Sequence, residues 1–582
     1  MSQAVDYKKL KKKWKKEGEI PEWYSTNALQ FFMDSYSYKG ESVKSRDATI
    51  AKYLAKYAPK NKPDWWEDNL YTQGKDWEEV FFNLIFTDGF AVLSTPLKAN
   101  GGLPERGMPI SCSGQTLSNS IASKSFITGE LEQLLKNAHG CAISMEDWLA
   151  EGDVYDADGN MSHGILPLIH EYQQKTEDTV QGVRRGSTAF YVSVEHGDFW
   201  RVAELLEELS DKLNIGWIVR DSFIEKLTNN DADALARFAR IMKLRVAFGK
   251  GYIAKLDTMN RNKADVFKIL DMTVRGSNLC SELNLPADEQ YTFSCPIINF
   301  NLTLWDIRPD KVFYLLQVMQ DCNVSGYLEQ LEAKKGYASL FLSKIYNFTK
   351  DFRATGMGTC GFHSLLMMKR FTVDSIDAML INEEIFSLQR KETYEASEWL
   401  AEQLGVPDGL KRAGLTRRNA TTMFAPPTKS STELARNSPS EGIGLQTALV
   451  KIKETVGGDI PRIEKAFLDF LKEKGLYTKK NINKVAVARS VRVLDELSEE
   501  DKAVFACAFE CSMYAHLDLC AQRQKHFDQQ QSINLYASSS DSEEDIGGWH
   551  KYALLNDMIN ALYYCYSSRG ASYERQECTV CQ

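Results

Sequence analysis

The stretch Arg275-Gly-Ser-Asn-Leu-Cys-Ser-Glu-Leu-Asn-Leu-Pro286 is the most informative part of this chain. It brackets Cys280 with Asn278 on one side and Glu282 on the other. In an extended segment, alternate residues project to one face, so amide, thiol and carboxylate would converge on a single ligand. Convergent acid–base and sulfur groups suit hydrogen abstraction coupled to proton removal from an adjacent alcohol. Taken alone, the stretch reads equally well as a buried cysteine in a turn with ordinary polar neighbours.

On either side of it, short β-type runs alternate with helical patterns. The β-type runs are Gly89–Thr95, Ala189–Glu195, Tyr252–Asp257 and Tyr291–Leu302, each flanked by Gly, Pro or Asn. Phe199–Leu213 and Ala232–Phe248 have helical spacing, as does the aromatic stretch Trp77–Phe86. Strands alternating with helices predict an α/β architecture, a barrel or a large parallel sheet. Residues 1 to about 90 read as a mostly helical, aromatic-rich region. The turn-rich Asn437–Gly444 predicts a loop. The acidic Ser538–Gly548 predicts a mobile surface segment, and the polar residues 567–582 a mobile tail.

Composition narrows the function. The chain has 582 residues, which at roughly 150 per domain allows about four domains or one large one with appendages. Hydrophobic residues make up 43% and charged residues 26%, ordinary for a globular enzyme with a sizeable core. The net charge of -9 argues against nucleic acid as the main partner, which calls for a basic surface. No apolar run is long enough to span a membrane and no signal peptide is apparent, so the chain is expected in the cytoplasm. Its twelve scattered cysteines fit a reducing compartment, where cysteines do chemistry or simply pack. There is no Walker-type phosphate loop, no H-E-x-x-H and no strand-borne G-x-G-x-x-G. Cys507, Cys511, His516 and Cys520 have metal-like spacing but fall in one predicted helix, which cannot surround an ion; they read as a buried helix face, and no metal site is expected. Lys8–Lys16 reads as a solvated helix face.

The residues around Cys280 resemble the active-site loop of the ribonucleotide reductase large, catalytic subunit, and other segments match in the same order. Pro109-Ile-Ser-Cys112 is similar to the segment of the first redox cysteine, and Gly182-Val-Arg-Arg-Gly186 to the specificity loop, with Gln181 and Arg184 on it. Cys295, followed by Asn301-Leu302, resembles the second redox cysteine's strand. Pro427-Thr-Lys-Ser-Ser431 sits where the family has a phosphate-binding turn. Leu562-Tyr-Tyr564 matches the paired tyrosines of class I enzymes, and Cys578-x-x-Cys581 their shuttle dithiol.

The resemblance implies a ten-stranded α/β barrel over residues 91–445, with a helical region at 1–90, a C-terminal helical/α+β region at 446–566 and a redox tail at 567–582. Cys280 would become a thiyl radical, Glu282 would act as general base, and Asn278 would hold substrate and carboxylate. Cys112 and Cys295 would become a disulfide as the 2′-hydroxyl leaves. Cys578 and Cys581 would reduce that disulfide and meet a thioredoxin- or glutaredoxin-like donor; half of a zinc site is the other reading of this pair. Thr428, Lys429, Ser430 and Ser431 would bind the substrate's phosphates, with Thr95 and Ser111 as further contacts; taken alone, the turn reads as an ordinary helix start. Tyr563 and Tyr564, in isolation packing residues, would pass a radical from a separate metal-containing small subunit. The chain itself would bind no cofactor and would form a homodimer.

Some features depart from the family pattern. Only 111 residues precede Cys112, so the ATP cone of many relatives, and its dATP switch, are not expected. Lys429 stands where an acidic or neutral residue is usual, and Ser113-Gly-Gln-Thr116 replaces a hydrophobic run. Asn119 stands where an acidic effector-binding residue is common, and the expected effector loop, Ala142–Asp153, has no clear arginine. The alternatives are a cobalamin-dependent reductase and a catalytically silent nucleotide-binding relative.

Overall fold

A computed structural model describes residues 5–110, 112–181, 184–453 and 460–568. Four helices come first: Tyr7–Glu17, Thr26–Ser35, Val43–Ala55 and Trp77–Phe82. Each starts where the sequence supplies an oxygen for the orphan N–H groups, from Asp6, Ser25, Ser42 and Asp76 respectively. The lysine-rich first helix has no fully buried residue. The last continues as a π-helical turn, Asn83–Thr87, and Trp77 packs its ring 4.4 Å from that of buried Trp66.

The expected α/β barrel is built from two sheets. The larger has seven strands. Five run parallel: Ser113–Thr116, Gly140–Ser144, Ser187–Ser193, Asn214–Val219 and Tyr252–Lys255. Helices such as Ile121–Lys136, Leu166–Asp178, Phe199–Glu208 and Ala232–Phe248 connect them. Phe293–Ser294 closes one edge antiparallel and Ala561–Leu562 the other. The parallel strands are buried almost throughout, as a sheet covered on both faces requires. The smaller sheet joins Ala91–Leu93, Ile297–Asn301 and Gly356–Cys360. Single bridges carry it outward, Met357 to Met423 and Ala425 to Gln531.

Tyr291–Leu302, read as one β run, is in fact two strands in different sheets. Ser294 pairs with Ser113 in the large sheet, whereas Ile298 pairs with Leu93 in the small one. The crossing falls at Cys295-Pro296, where proline has no N–H for a ladder.

Three further readings need correction. Ser538–Gly548 is not a loose segment throughout, because Ser542 and Asp545 form a capping box and start the helix Glu543–Leu555. Its acidic residues Glu543, Glu544 and Asp545 fill the first turn, where the helix dipole favours them. Cys507, Cys511, His516 and Cys520 do not share a helix. Cys507 and Cys511 flank the 3₁₀ turn Ala508–Glu510, and only His516 and Cys520 lie on the helix Met513–Gln524, which Ser512 caps. Cys507 packs with Phe467 and Phe505 in a separate apolar cluster, and no described group of three His, Cys, Asp or Glu is placed to hold a metal. Finally, Ala142–Ser144 belongs to a buried strand, and Glu151–Val154 pairs with Met161–His163, so Ala142–Asp153 is not one loop.

The long helix Val312–Glu332 lies buried behind the small sheet and carries Asp321. That carboxylate accepts hydrogen bonds from Arg353 Nε at 2.8 Å, Arg418 Nε at 2.9 Å and Asn419 Nδ2 at 3.0 Å. Burial opposes its charge, but the two guanidinium groups prevail and hold the carboxyl well below the usual range. Among the described residues, no helix is long and apolar enough to cross a membrane.

Candidate active site

The segment around Cys280 has almost no regular structure, so its backbone groups find partners on the surrounding elements. Asn260 bonds both Val274 N–H and Val274 C=O, at 3.0 and 2.9 Å. Ser144, at the end of a barrel strand, donates to Arg275 C=O at 2.7 Å. Tyr191, on the strand Ser187–Ser193, donates to Asn278 C=O at 2.7 Å and lies 3.0 Å from Ser281 Oγ. From the other side, Gln530 N–H donates to Glu282 C=O at 3.2 Å, and Gln529 Oε1 accepts from Asn284 N–H at 3.3 Å. Gln531 is bridged to Ala425 beyond the small sheet, so the loop is held between the two sheets.

Asn278 and Glu282 do converge, though not by strand alternation. Ser281 has φ +62°, and its N–H bonds Asn278 C=O at 3.2 Å, so the chain turns here. The turn lets Asn278 Oδ1 accept from the N–H groups of Glu282 and Leu283, both at 3.1 Å. Asn278 Nδ2 then donates to Glu282 Oε1 at 2.8 Å. Ser532 Oγ lies 3.3 Å from Glu282 Oε2 and donates to Cys280 C=O at 2.5 Å. Burial pushes the Glu282 carboxyl up to about 7, against the hydrogen bonds from Asn278, its own backbone N–H and Ser532. A carboxyl poised there can take a proton near neutral pH.

Cys280 is partly buried and packs against an apolar cluster containing Tyr191, Leu279, Tyr563 and Tyr564. The rings of Tyr563 and Tyr564 are 4.1 Å apart, and Tyr252 lies 4.8 Å from Tyr563. Cys112 packs against the apolar cluster that contains Cys295. Phe293 faces Gly114 and Ser294 faces Ser113 in antiparallel pairing, so Cys295 and Cys112 are the next residues beyond the paired ends of these two strands. Opposed residues of an antiparallel ladder have Cβ atoms about 4.5–5.5 Å apart, and a disulfide needs a somewhat closer approach. Gln529 Nε2 donates to Cys295 Sγ at 3.5 Å and to Thr421 Oγ1 at 3.0 Å. Burial raises the Cys295 thiol well above its ordinary value, and the Glu282 carboxylate adds to the rise.

The remaining expected residues are distributed as follows. Thr428 precedes the short helix Lys429–Thr432, and its hydroxyl accepts from Gly442 N–H at 2.7 Å. Ser430 and Ser431 are buried, Lys429 is partly exposed, and Ser431 lines a cavity with Ala91–Leu93. Thr95 opens the helix that follows this strand, its hydroxyl 3.2 Å from that of Tyr36. Gln181 and Arg184 are partners in the register of the antiparallel strands Val180–Gln181 and Arg184–Arg185. Ser111, Cys578 and Cys581 lie outside the described residues. Sequence reading missed Gln529, Gln530 and Ser532. Their signal was Asp528-Gln-Gln-Gln-Ser532, a polar run that is buried throughout.

Fold and site together define an α/β-barrel enzyme with buried and partly buried thiols, and with an acid and an amide in the same loop as one of them. The sequence matches the family model "Ribonucleotide reductase, barrel domain" over residues 110–237, 231–413 and 407–564. The chain belongs to the ribonucleotide reductase family. It is 25% identical over 511 residues to a putative ribonucleoside-diphosphate reductase large subunit of Frog virus 3 (isolate Goorha), covering 82% of this chain and 88% of that protein. It is 29% identical over 380 residues to the ribonucleoside-diphosphate reductase large subunit of Invertebrate iridescent virus 3, covering 63% and 58% respectively. Among solved structures it is similar to the Actinobacillus ureae class Id ribonucleotide reductase alpha subunit, with TM-score 0.82, 27% identity, and coverage of 95% of this chain and 99% of that one.

Proposed function

We infer that this chain reduces ribonucleoside diphosphates to 2′-deoxyribonucleotides as the large subunit of a class I-type reductase. The observation that carries the reading is the buried pair Asn278–Glu282 beside Cys280, with Cys112 packed against the cluster that holds Cys295. Cys280, as a sulfur radical, takes the ribose 3′ hydrogen, and Glu282 takes the proton of the 3′-hydroxyl. Asn278 fixes the carboxylate in place and orients the substrate. The 2′-hydroxyl leaves as water while Cys112 and Cys295 give up two hydrogens and form a disulfide, and Cys280 returns hydrogen to the 3′ carbon. Substrate, two thiols and product thus balance with one water released.

Thr428, Lys429, Ser430 and Ser431 bind the diphosphate, with Thr95 and Ser111 beside them. Hydroxyl and N–H groups of a turn suit phosphate oxygens, and a lysine adds charge. Gln181 and Arg184 belong to the loop that adapts the site to the base. Cys578 and Cys581 exchange with the new disulfide and pass electrons to a thioredoxin- or glutaredoxin-like donor. A metal-containing small subunit supplies the radical through Tyr564 and Tyr563, and the large subunit works as a homodimer in the reducing cytoplasm. The adjoining tyrosines disfavour a cobalamin-dependent enzyme, which has no need of them, and the intact acid–thiol set disfavours a silent relative.

The test is turnover of the four ribonucleoside diphosphates by the purified chain with a class I small subunit and dithiothreitol. Cys280→Ser is expected to bind nucleotide normally and make no product. Product from that variant overturns the reading, and turnover on adenosylcobalamin without a partner moves it to the cobalamin class.

A further inference from the structure

Tyr563 and Tyr564 are not the end of the aromatic file that starts at Cys280. The ring of Tyr566 lies 5.7 Å from that of Tyr564, and it stacks on Tyr536 at 5.6 Å with an interplanar angle of 14°. This arrangement is fixed by the backbone. The strand Cys565–Ser567 pairs in parallel with Leu535–Ala537, which sets Tyr566 and Tyr536 opposite each other. Tyr566 packs against the same apolar cluster as Cys280, with Tyr563 and Tyr564 inside that cluster.

Exposure separates the four rings. Tyr563, Tyr564 and Tyr536 are buried, at 1%, 6% and 3%, whereas Tyr566 is partly exposed. A second subunit delivering a radical must therefore reach a ring that solvent and partner can touch, and its proton needs a way out. Tyr564 and Tyr563 are less exposed than Tyr566.

We propose that Tyr566 is the outermost member of a three-tyrosine relay, Tyr566–Tyr564–Tyr563, that connects the protein surface to Cys280. This rests on the reductase reading above. A one-electron oxidant of the radical class, held by the small subunit, takes an electron from Tyr566 while the phenolic proton leaves to water or to a base at the interface. The Tyr566 radical takes a hydrogen from the Tyr564 hydroxyl and regains its own O–H bond. Tyr564 does the same to Tyr563, and Tyr563 to the Cys280 thiol. One electron and one proton leave Cys280 in total, and every tyrosine ends as it began. Tyr536 is outside the relay: its parallel stack holds the Tyr566 ring in line.

The experiment uses the full chain with its small subunit. Tyr566→Phe keeps the ring and its packing but cannot carry a hydrogen. Turnover is expected to fall on the order of a hundredfold, the low end of what losing a proton-transfer step costs, with diphosphate binding unchanged. Tyr536→Phe is expected to keep turnover. 3-Aminotyrosine at position 566, easier to oxidise than tyrosine, is expected to give an aminotyrosyl radical by electron paramagnetic resonance on mixing with small subunit and substrate. The radical should still form when Tyr564→Phe is added, because position 566 lies upstream, though product is lost. Full turnover by Tyr566→Phe, or no radical at position 566 in a preparation whose wild type turns over, overturns the relay. If the wild type reduces no ribonucleotide with any radical-generating subunit, the reductase reading itself falls and the relay with it.

Discussion

Replacing Glu282 with glutamine separates two effects of opposite sign. The carboxyl is 1% exposed, and burial lifts it from 4.5 to about 7. At about 1.4 kcal/mol for each tenfold change in proton affinity, holding it ionised inside the fold costs about 3 kcal/mol at alkaline pH. An acid whose folded value is raised favours the fold below its ordinary value, and that contribution is lost as pH rises through about 7. Glutamine is neutral throughout and nearly the same shape. Asn278 Nδ2 keeps an oxygen acceptor, and the Ser532 hydroxyl can accept from the new amide. Glu282→Gln is therefore expected to be more stable than wild type by about 3 kcal/mol at alkaline pH, the gap closing toward about pH 4.5, as read by urea unfolding. Turnover should move the other way, falling roughly 10²–10⁴-fold for loss of a positioned base. Wild-type kcat/KM should rise with pH through about 7, while the residual activity of the variant lacks that limb. Equal stability of the two proteins at alkaline pH would refute the burial argument. Turnover within about tenfold of wild type would refute the role as base.

Mild oxidation of the whole chain is expected to link Cys112 to Cys295, because each directly adjoins one of two paired strands and both pack in one cluster; peptide mapping without reductant checks this, and a link from Cys112 to any other cysteine refutes the pairing. Asp321→Asn leaves two guanidinium groups, of Arg353 and Arg418, buried without their carboxylate, so a loss of about 3–5 kcal/mol is expected in denaturant unfolding; a loss below about 1 kcal/mol refutes it. Since the Asp321 carboxyl is held below its usual range, its contribution is present at neutral pH and is lost as pH falls toward that lowered value.

The convergence of Asn278 and Glu282 was legible because they are neighbours in sequence, yet the reason differed from the one spacing suggested. An extended segment was assumed, whereas Ser281 in the left-handed region turns the chain and brings the two side chains together. The helix at Glu543 was hidden by an acidic, serine-rich composition that looked disordered, although Ser542 and Asp545 were a readable start signal. The buried Gln529 and Gln530 were overlooked for the opposite reason: polar residues suggest solvent until tertiary partners are known, here Thr421, Ser281 and Cys295.

Taken by itself, the sequence determined the alternation of strands and helices, the starts of several helices through their caps, such as those at Tyr7 and Val43, and the loop at Cys280. These are short-range matters, settled by side-chain spacing and by hydrogen bonds between near neighbours. Tertiary structure alone decided that Cys295 sits where the chain crosses from one sheet to the other, in the cluster that Cys112 packs against, and that Tyr566 comes into line with Tyr564. Pairing between distant strands is set by which faces the whole core buries, and no local pattern in the chain encodes that choice.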